Sequence, residues 1–223
     1  MLVDLDQFTV SRLSEADRLP PDRTALIIVD MINRFCDPDW WFEGSTGLKA
    51  EALGVRRAFF EKELAEIIPR IRLVLDVFRE AGGTVVHMEM ARRTKDGRDM
   101  VPYMEGRDYD LAGSEPMSVI DELAPIEGEM VIQKPTSSSF TGTGLDFMLR
   151  NSGTEHVVLC GQFGDACVFY TLIQSREFGY KNSWVEDSVL YQTQGTKDIM
   201  PCLIGSRWAD LVRAEQLSAI LKA

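Results

Sequence analysis

The chain has 223 residues, of which 45% are hydrophobic and 26% charged, the balance of a folded globular chain with enough length for one sizeable core. Its net charge of −11 and isoelectric point near 4.7 argue against nucleic acid and anionic membrane surfaces as partners. No apolar run is long enough to span a bilayer, and residues 1–22 lack the basic start and apolar core of a signal peptide.

Residues 1–22 read as an irregular lead-in to a single domain over 23–223. Arg23 to Asp30 (RTALIIVD) is a continuous apolar run ending in an acid, the pattern of a parallel strand buried on both faces. Met31 to Gly47 follows as an aromatic-rich loop or lid containing Phe35, Trp40 and Trp41. A helix is predicted from about Val55 to Ala81, with a kink or a second helix start near Ile67 because of Pro69. Ile68, Ile71, Leu75 and Phe78 share its apolar stripe, and Gly82-Gly83 ends it.

Thr84 to His87 is the second strand. Residues 89–129 are the least regular part of the chain and carry a basic cluster at Arg92, Arg93, Lys95 and Arg98. Met130 to Gln133 is a third strand ending at Lys134-Pro135, Thr141 to Leu149 a helix, and Val157 to Cys160 a fourth strand. Helical spacing resumes from Asp165 to Gly179, followed by a strand over Tyr180 to Glu186. A helix around Gly195–Ile204, a short strand at Ala209–Val212 and a closing helix from Glu215 complete the chain. Strands alternating with helices imply an α/β fold, a parallel sheet with helices on both faces.

Ligands of such sheets bind outside the carboxyl ends of the strands. Asp30, Lys134 and Cys167 all fall at or just beyond those ends. Cys167 enters a helix after a glycine-bounded turn, near the positive end of a helix dipole, which lowers a cysteine pKa and favours the thiolate. An ammonium beside it would add to that effect, and a carboxylate would carry the thiol proton to a leaving group. The four cysteines form no C-x-x-C pair and read as free thiols of a reducing cytoplasm, with Cys36, Cys160 and Cys202 inert. With only two histidines, His87 and His156, a multi-histidine metal site is not available, and no metal or other cofactor is expected. His87 reads as a strand-end structural residue, and Ser137, Ser138 and Ser139 as loop hydrogen-bonders and a helix cap.

ALIIVDM around Asp30, VIQKPTSSSF around Lys134 and VVLCGQFGDACV around Cys167 resemble, in order and spacing, the isochorismatase-like cysteine hydrolases. The resemblance runs from about residue 23 to the C-terminus. It implies a Rossmann-like, three-layer α/β/α sandwich around a six-stranded parallel sheet, a homo-oligomer (dimer or tetramer), and a catalytic Asp30–Lys134–Cys167 triad. It further implies a non-proline cis peptide at Gln162–Phe163 and an oxyanion hole made by the backbone N–H groups of Phe163 and Cys167. Two positions depart from the family pattern: Ile32 stands where a glutamine is frequent, and Gly164 where a threonine is.

The implied activity is hydrolysis of a C–N bond in a small amide, ureide or carbamoyl substrate through a thioester. An isochorismatase-type vinyl-ether hydrolase and a catalytically silent binding or assembly subunit are the alternatives. Phe35, Trp41, Arg92 and Gln162 are the candidate substrate-binding residues. For the aromatics, packing between helices or at a dimer interface is an equal reading, and Arg92 or Arg93 offers a guanidinium for a substrate carboxylate.

Overall fold

A computed structural model describes residues 9–42, 49–102 and 110–222. Six strands form one all-parallel sheet in the order β3-β2-β1-β4-β5-β6. They are β1 (Thr24–Val29), β2 (Thr84–Met90), β3 (Met130–Lys134), β4 (His156–Gln162), β5 (Lys181–Leu190) and β6 (Asp210–Val212). The expected six-stranded α/β/α sandwich is therefore the observed one. Strand order reverses between β1 and β4, which makes the gap beyond their carboxyl ends the natural ligand crevice.

Alternation along β1 divides the core into two. Ala25, Ile27 and Val29 face one helical layer, formed by α4 (Leu145–Asn151), α5 (Cys167–Glu177) and α6 (Gln194–Arg207). Leu26 and Ile28 face the other, formed by α3 (Ala50–Ala81) and α7 (Ala214–Ile220). Two short helices, α1 (Asn33–Cys36) and α2 (Pro38–Phe42), occupy most of the predicted loop after β1; its residues 43–47 lie outside the described residues. The described part of the lead-in, from residue 9, is docked on the sheet. Residues 11–13 extend the sheet beyond β6 through hydrogen bonds between Leu211 and both Ser11 and Leu13.

Helix α3 runs through Pro69 without a second start. Proline removes one hydrogen bond, to the carbonyl of Ala65, and both residues are on the exposed side, where water replaces the lost donor. Gly82 ends the helix at φ 69°, as its position in the sequence implied. Helix α4 starts four residues later than predicted because Gly142 takes φ 73° and Thr143 Oγ1 turns back to accept from Leu145 N–H. Three strands are longer than predicted, β4 by starting at His156 and running to Gln162. β2 continues through Glu89, whose buried carboxylate accepts from Gln133 Nε2 (2.9 Å) and Val119 N–H (3.3 Å). β5 continues past its polar run 186–188 to Val189 and Leu190 after a register shift against β4.

That irregularity lies beside Gly161, which takes φ 107°. A Cβ there would stand 2.2 Å from the Val29 carbonyl oxygen. Only glycine lets β1 and β4 approach this closely. Gly161→Ala is expected to destabilise the protein by several kcal/mol, since the Val29 neighbour is backbone and cannot swing away. Urea denaturation with a midpoint unchanged from wild type would contradict this account of the crossing.

No helix among the described residues is long and apolar enough to cross a membrane. His87 is buried in the sheet, where its Nε2 meets Glu129 Oε2 at 3.0 Å while Arg79 clamps the same carboxylate. This is the structural role expected of it.

Candidate active site

Asp30 follows β1 directly and is the one non-glycine residue with positive φ among those described, at 54°. Aspartate tolerates this region better than most residues, and holding it there requires support from both sides. That support is present: its N–H donates to Met88 O on β2 (3.0 Å), and its carbonyl accepts from Gln162 Nε2 at the end of β4 (2.9 Å). Gln162 is fully buried, and its amide also touches Cys36 Sγ at 3.3 Å. The structure thus commits this expected substrate-binding side chain to the backbone of Asp30, a positioning task.

Lys134 ends β3, two strands away from β1, and its side chain spans the intervening end of β2. Its ammonium lies 2.8 Å from Asp30 Oδ2 and donates to the carbonyls of Thr136 (3.1 Å) and Ser137 (3.2 Å). Three partners match its three donors, which is the condition for keeping a fully buried lysine charged. The ion contact is short, yet neither Asp30 oxygen lies on a well-aligned hydrogen bond.

Cys167 is the first residue of α5, so the expected helix-start position is observed. Its thiol is in the field of both Asp30 and Lys134. The loop carrying Lys134 is stapled to the helix carrying Cys167. Thr171 Oγ1 donates to the Cys167 carbonyl (2.7 Å) and accepts from Ser139 N–H (3.0 Å), and Ser138 Oγ reaches Gln174 Oε1. The serines are hydrogen-bonders as expected, but the helix-entry bond comes from Thr143 instead.

The electrostatics correct one expectation. Burial pushes the Cys167 thiol up to about 12; Lys134 pulls against this, while the Asp30 charge adds to it. A helix start and one ammonium do not outweigh a water-poor setting that also holds a carboxylate. Burial and the carboxylate therefore oppose the thiolate that the helix start and the ammonium favour. Burial likewise raises Asp30, against the pull of Lys134. Lys134 ends above its ordinary value because the negative partners outweigh its own burial. In the free protein, alkylation of Cys167 by iodoacetamide is expected to be slow at pH 7 and to climb steadily toward pH 11, since the thiolate fraction grows about tenfold per pH unit below the pKa. A rate that levels off below pH 8, followed by mass spectrometry of the Cys167 peptide, would contradict it.

The turn between β4 and α5 contains the cis peptide at Gln162–Phe163. Within it the amides of Gly164, Ala166 and Val168 donate to Leu190 O, Phe163 O and Phe163 O. Those of Phe163, Asp165 and Cys167 have no acceptor among the described residues. Two of these three are the expected oxyanion donors.

The aromatic wall is built from Trp41, whose ring lies 4.7 Å from Phe163 and is stacked on Phe60 of α3 at 6.0 Å. Phe35 meets Trp41 edge-on at 5.5 Å. Both residues therefore pack between helices, and through Trp41 they back the turn at Phe163. Trp40 lies elsewhere, in a cleft with Cys36 and Asp37. The arginines do not join the triad. Arg92 Nη1 donates to Lys95 O at 2.7 Å within its own loop, and Arg93 is tied to the carbonyls of Gly142 and Gln133.

The two departures have packing explanations. A side chain at position 164 would meet the Tyr191 ring at 2.4 Å and Val189 at 2.6 Å, so the bulk missing at Gly164 is supplied by Tyr191. Ile32 is fully buried in the core and bridges to Val119.

A parallel sheet with a buried acid, an ammonium and a thiol gathered at its switch point is an arrangement suited to hydrolysis. The chain belongs to the isochorismatase domain family, whose model matches residues 24–197. It is 27% identical to ureidoacrylate amidohydrolase RutB of Cronobacter sakazakii, with 82% of each chain covered. It is also 27% identical to N-carbamoylsarcosine amidase of Thermoplasma acidophilum, covering 86% of this chain and 97% of that one with a TM-score of 0.66. A cysteine hydrolase from Pseudomonas syringae pv. phaseolicola shares the fold, with a TM-score of 0.74 at 21% identity over 95% and 96% of the two chains.

Proposed function

We propose that this protein is a cysteine-dependent hydrolase that cleaves a C–N bond of a small amide, ureide or carbamoyl compound through a thioester. The observation that carries the reading is the convergence of three separate chain segments on the Lys134 ammonium, 2.8 Å from Asp30 with the Cys167 thiol in the field of both. The names of the relatives, ureidoacrylate amidohydrolase and N-carbamoylsarcosine amidase, support the same chemistry.

The raised thiol sets the order of events. Substrate enters a site holding a thiol, a carboxylate and an ammonium. Asp30 takes the thiol proton as sulfur attacks the carbonyl carbon, so charge moves from carboxylate to substrate oxygen without an exposed thiolate in between. Burial makes Asp30 a stronger base than an aspartate in water. The new oxyanion is received by the Phe163 and Cys167 amides, a donor type worth about 10²–10³ in rate each. Collapse expels the amine, which leaves with the proton returned by Asp30. Water, deprotonated by Asp30, then hydrolyses the thioester and restores the thiol. Lys134 remains cationic throughout and keeps Asp30 ionised between steps.

The deciding experiment measures ammonia or amine release over a panel of small ureides, carbamoyl amino acids and simple amides, including ureidoacrylate and N-carbamoylsarcosine. Turnover of at least one, lost on alkylation of Cys167, is the expected result. Vinyl-ether hydrolysis that persists after alkylation would instead favour a mechanism in which Asp30 alone protonates substrate.

A further inference from the structure

The opposite end of the sheet holds a second concave site. A cleft of about 540 Å³ opens where β5 and β6 begin and α5 and α6 end, within the size range of small-molecule pockets. It is far from the triad in topology, because Lys181 and Asp210 are the first residues of parallel strands, whereas the triad lies at or beyond the last residues of β1, β3 and β4.

Its charge is the reverse of the molecule's. Arg176, Lys181 and Arg207 line it, against a single carboxylate, Asp210, which already accepts from the Ser11 hydroxyl. None of the three cations is ion-paired among the described residues, although the chain has 35 acidic residues to 24 basic ones. Other arginines here do find carboxylates: Arg57 with Asp39 and Glu61, Arg72 with Asp76, Arg79 with Glu129. Part of the positive charge answers the ends of α5 and α6, and Arg176 donates to Trp208 O at 3.3 Å. Two helix C-termini offset about half a charge each, so with Asp210 included the cleft keeps roughly one uncompensated positive charge. That surplus sits on Lys181 and Arg207, exposed residues whose side chains have no hydrogen-bond partner among the described residues. Half-buried Trp208 supplies an apolar wall, its ring held edge-on against Phe169 at 5.3 Å.

We propose that this cleft binds a small oxyanion, carboxylate or phosphate, gripped by Lys181 and Arg207 with the Trp208 ring as its apolar wall. A guanidinium and an ammonium lining one concave surface are suitable donors for such groups. This inference does not depend on the hydrolase reading.

Isothermal titration of the full chain with inorganic phosphate, and separately with succinate, at low ionic strength tests it. A saturable isotherm is expected for at least one, weakening as chloride is added, and the pair tells which oxyanion is preferred. The Lys181→Gln/Arg207→Gln double variant is expected to bind at least tenfold more weakly, while Arg98→Gln, at an exposed loop position, binds as wild type. If the double variant does not fold, each single variant is expected to weaken binding at least threefold. Cys167→Ala is expected to bind normally, so failure of the hydrolase reading would leave this result standing. Absence of saturable binding to either anion, or unchanged affinity in the Lys181 and Arg207 variants, would overturn the proposal.

Discussion

Replacing Cys167 with alanine is expected to lower turnover of the best ureide or amide substrate by at least about 10³-fold, with the fold intact. The side chain is small, and its carbonyl, not its sulfur, is the group tied to Thr171. Losing the sulfur is therefore expected to remove the proposed nucleophile while leaving the Asp30–Lys134 pair closed. Circular dichroism and thermal melting should match wild type, and ammonia release should fall to the level of the solvent reaction. Cys167→Ser is expected to be nearly as damaging, because a buried hydroxyl is a weaker nucleophile than a thiol in the same place. Full activity in either variant would exclude the thioester route and leave only chemistry performed by Asp30.

Lys134→Met carries the largest expected cost in stability. The change keeps most of the volume but removes the only cation beside Asp30 among the described residues, and it strips the donors from the Thr136 and Ser137 carbonyls. Breaking a buried pair on one side typically costs about 3–5 kcal/mol, because the surviving charge is left uncompensated. The loss should depend on pH, and its sign follows from Asp30. Burial already raises this carboxyl above its ordinary value, and removing Lys134 removes the main opposing influence. The folded variant then holds the Asp30 proton more tightly than the unfolded chain does, so stability declines as pH rises above the unfolded carboxyl range. Urea denaturation at pH 5 and pH 8 should show the larger deficit at pH 8. Adding Asp30→Asn should recover part of it. An equal deficit at both values would mean that packing, and not the stranded carboxylate, accounts for the loss.

The two variants probe different links of one chain of cause. Cys167→Ala tests the proposed chemistry, whereas Lys134→Met tests how the fold tolerates a charge pair in its interior. Gly161 belongs to the second kind. Its close approach to Val29 is what brings the ends of β1 and β4 together, although the sequence pattern ends the strand at Cys160 and places this glycine in the turn.

Much of the fold was legible from residue order because strand and helix patterns depend on neighbours. The run ALIIV is apolar at every position because both faces of β1 are covered, and a glycine pair follows α3 because its cap needs positive φ. The places where boundaries shifted are places where a distant residue changed the local answer. Glu89 stays in β2 because Gln133 and Val119 satisfy it from other elements. β5 outlasts its polar stretch because Val189 and Leu190 return to pair with Gly161 and Gln162.

The candidate site divides along the same line. Residue order was enough to place an acid, an ammonium and a thiol at three strand ends, since motif spacing and sheet polarity are local properties. It did not predict their proton states. Those depend on burial and on which charges face each other, quantities that exist only once the chain has closed. The thiol that a helix start would acidify is instead held near 12 by desolvation and by the carboxylate beside it. Nor did residue order show that Gln162 braces Asp30, that Thr171 staples the two halves of the site, or that Tyr191 occupies the space vacated at Gly164. Each is a contact between segments tens of residues apart, and long-range packing is what a one-dimensional pattern omits.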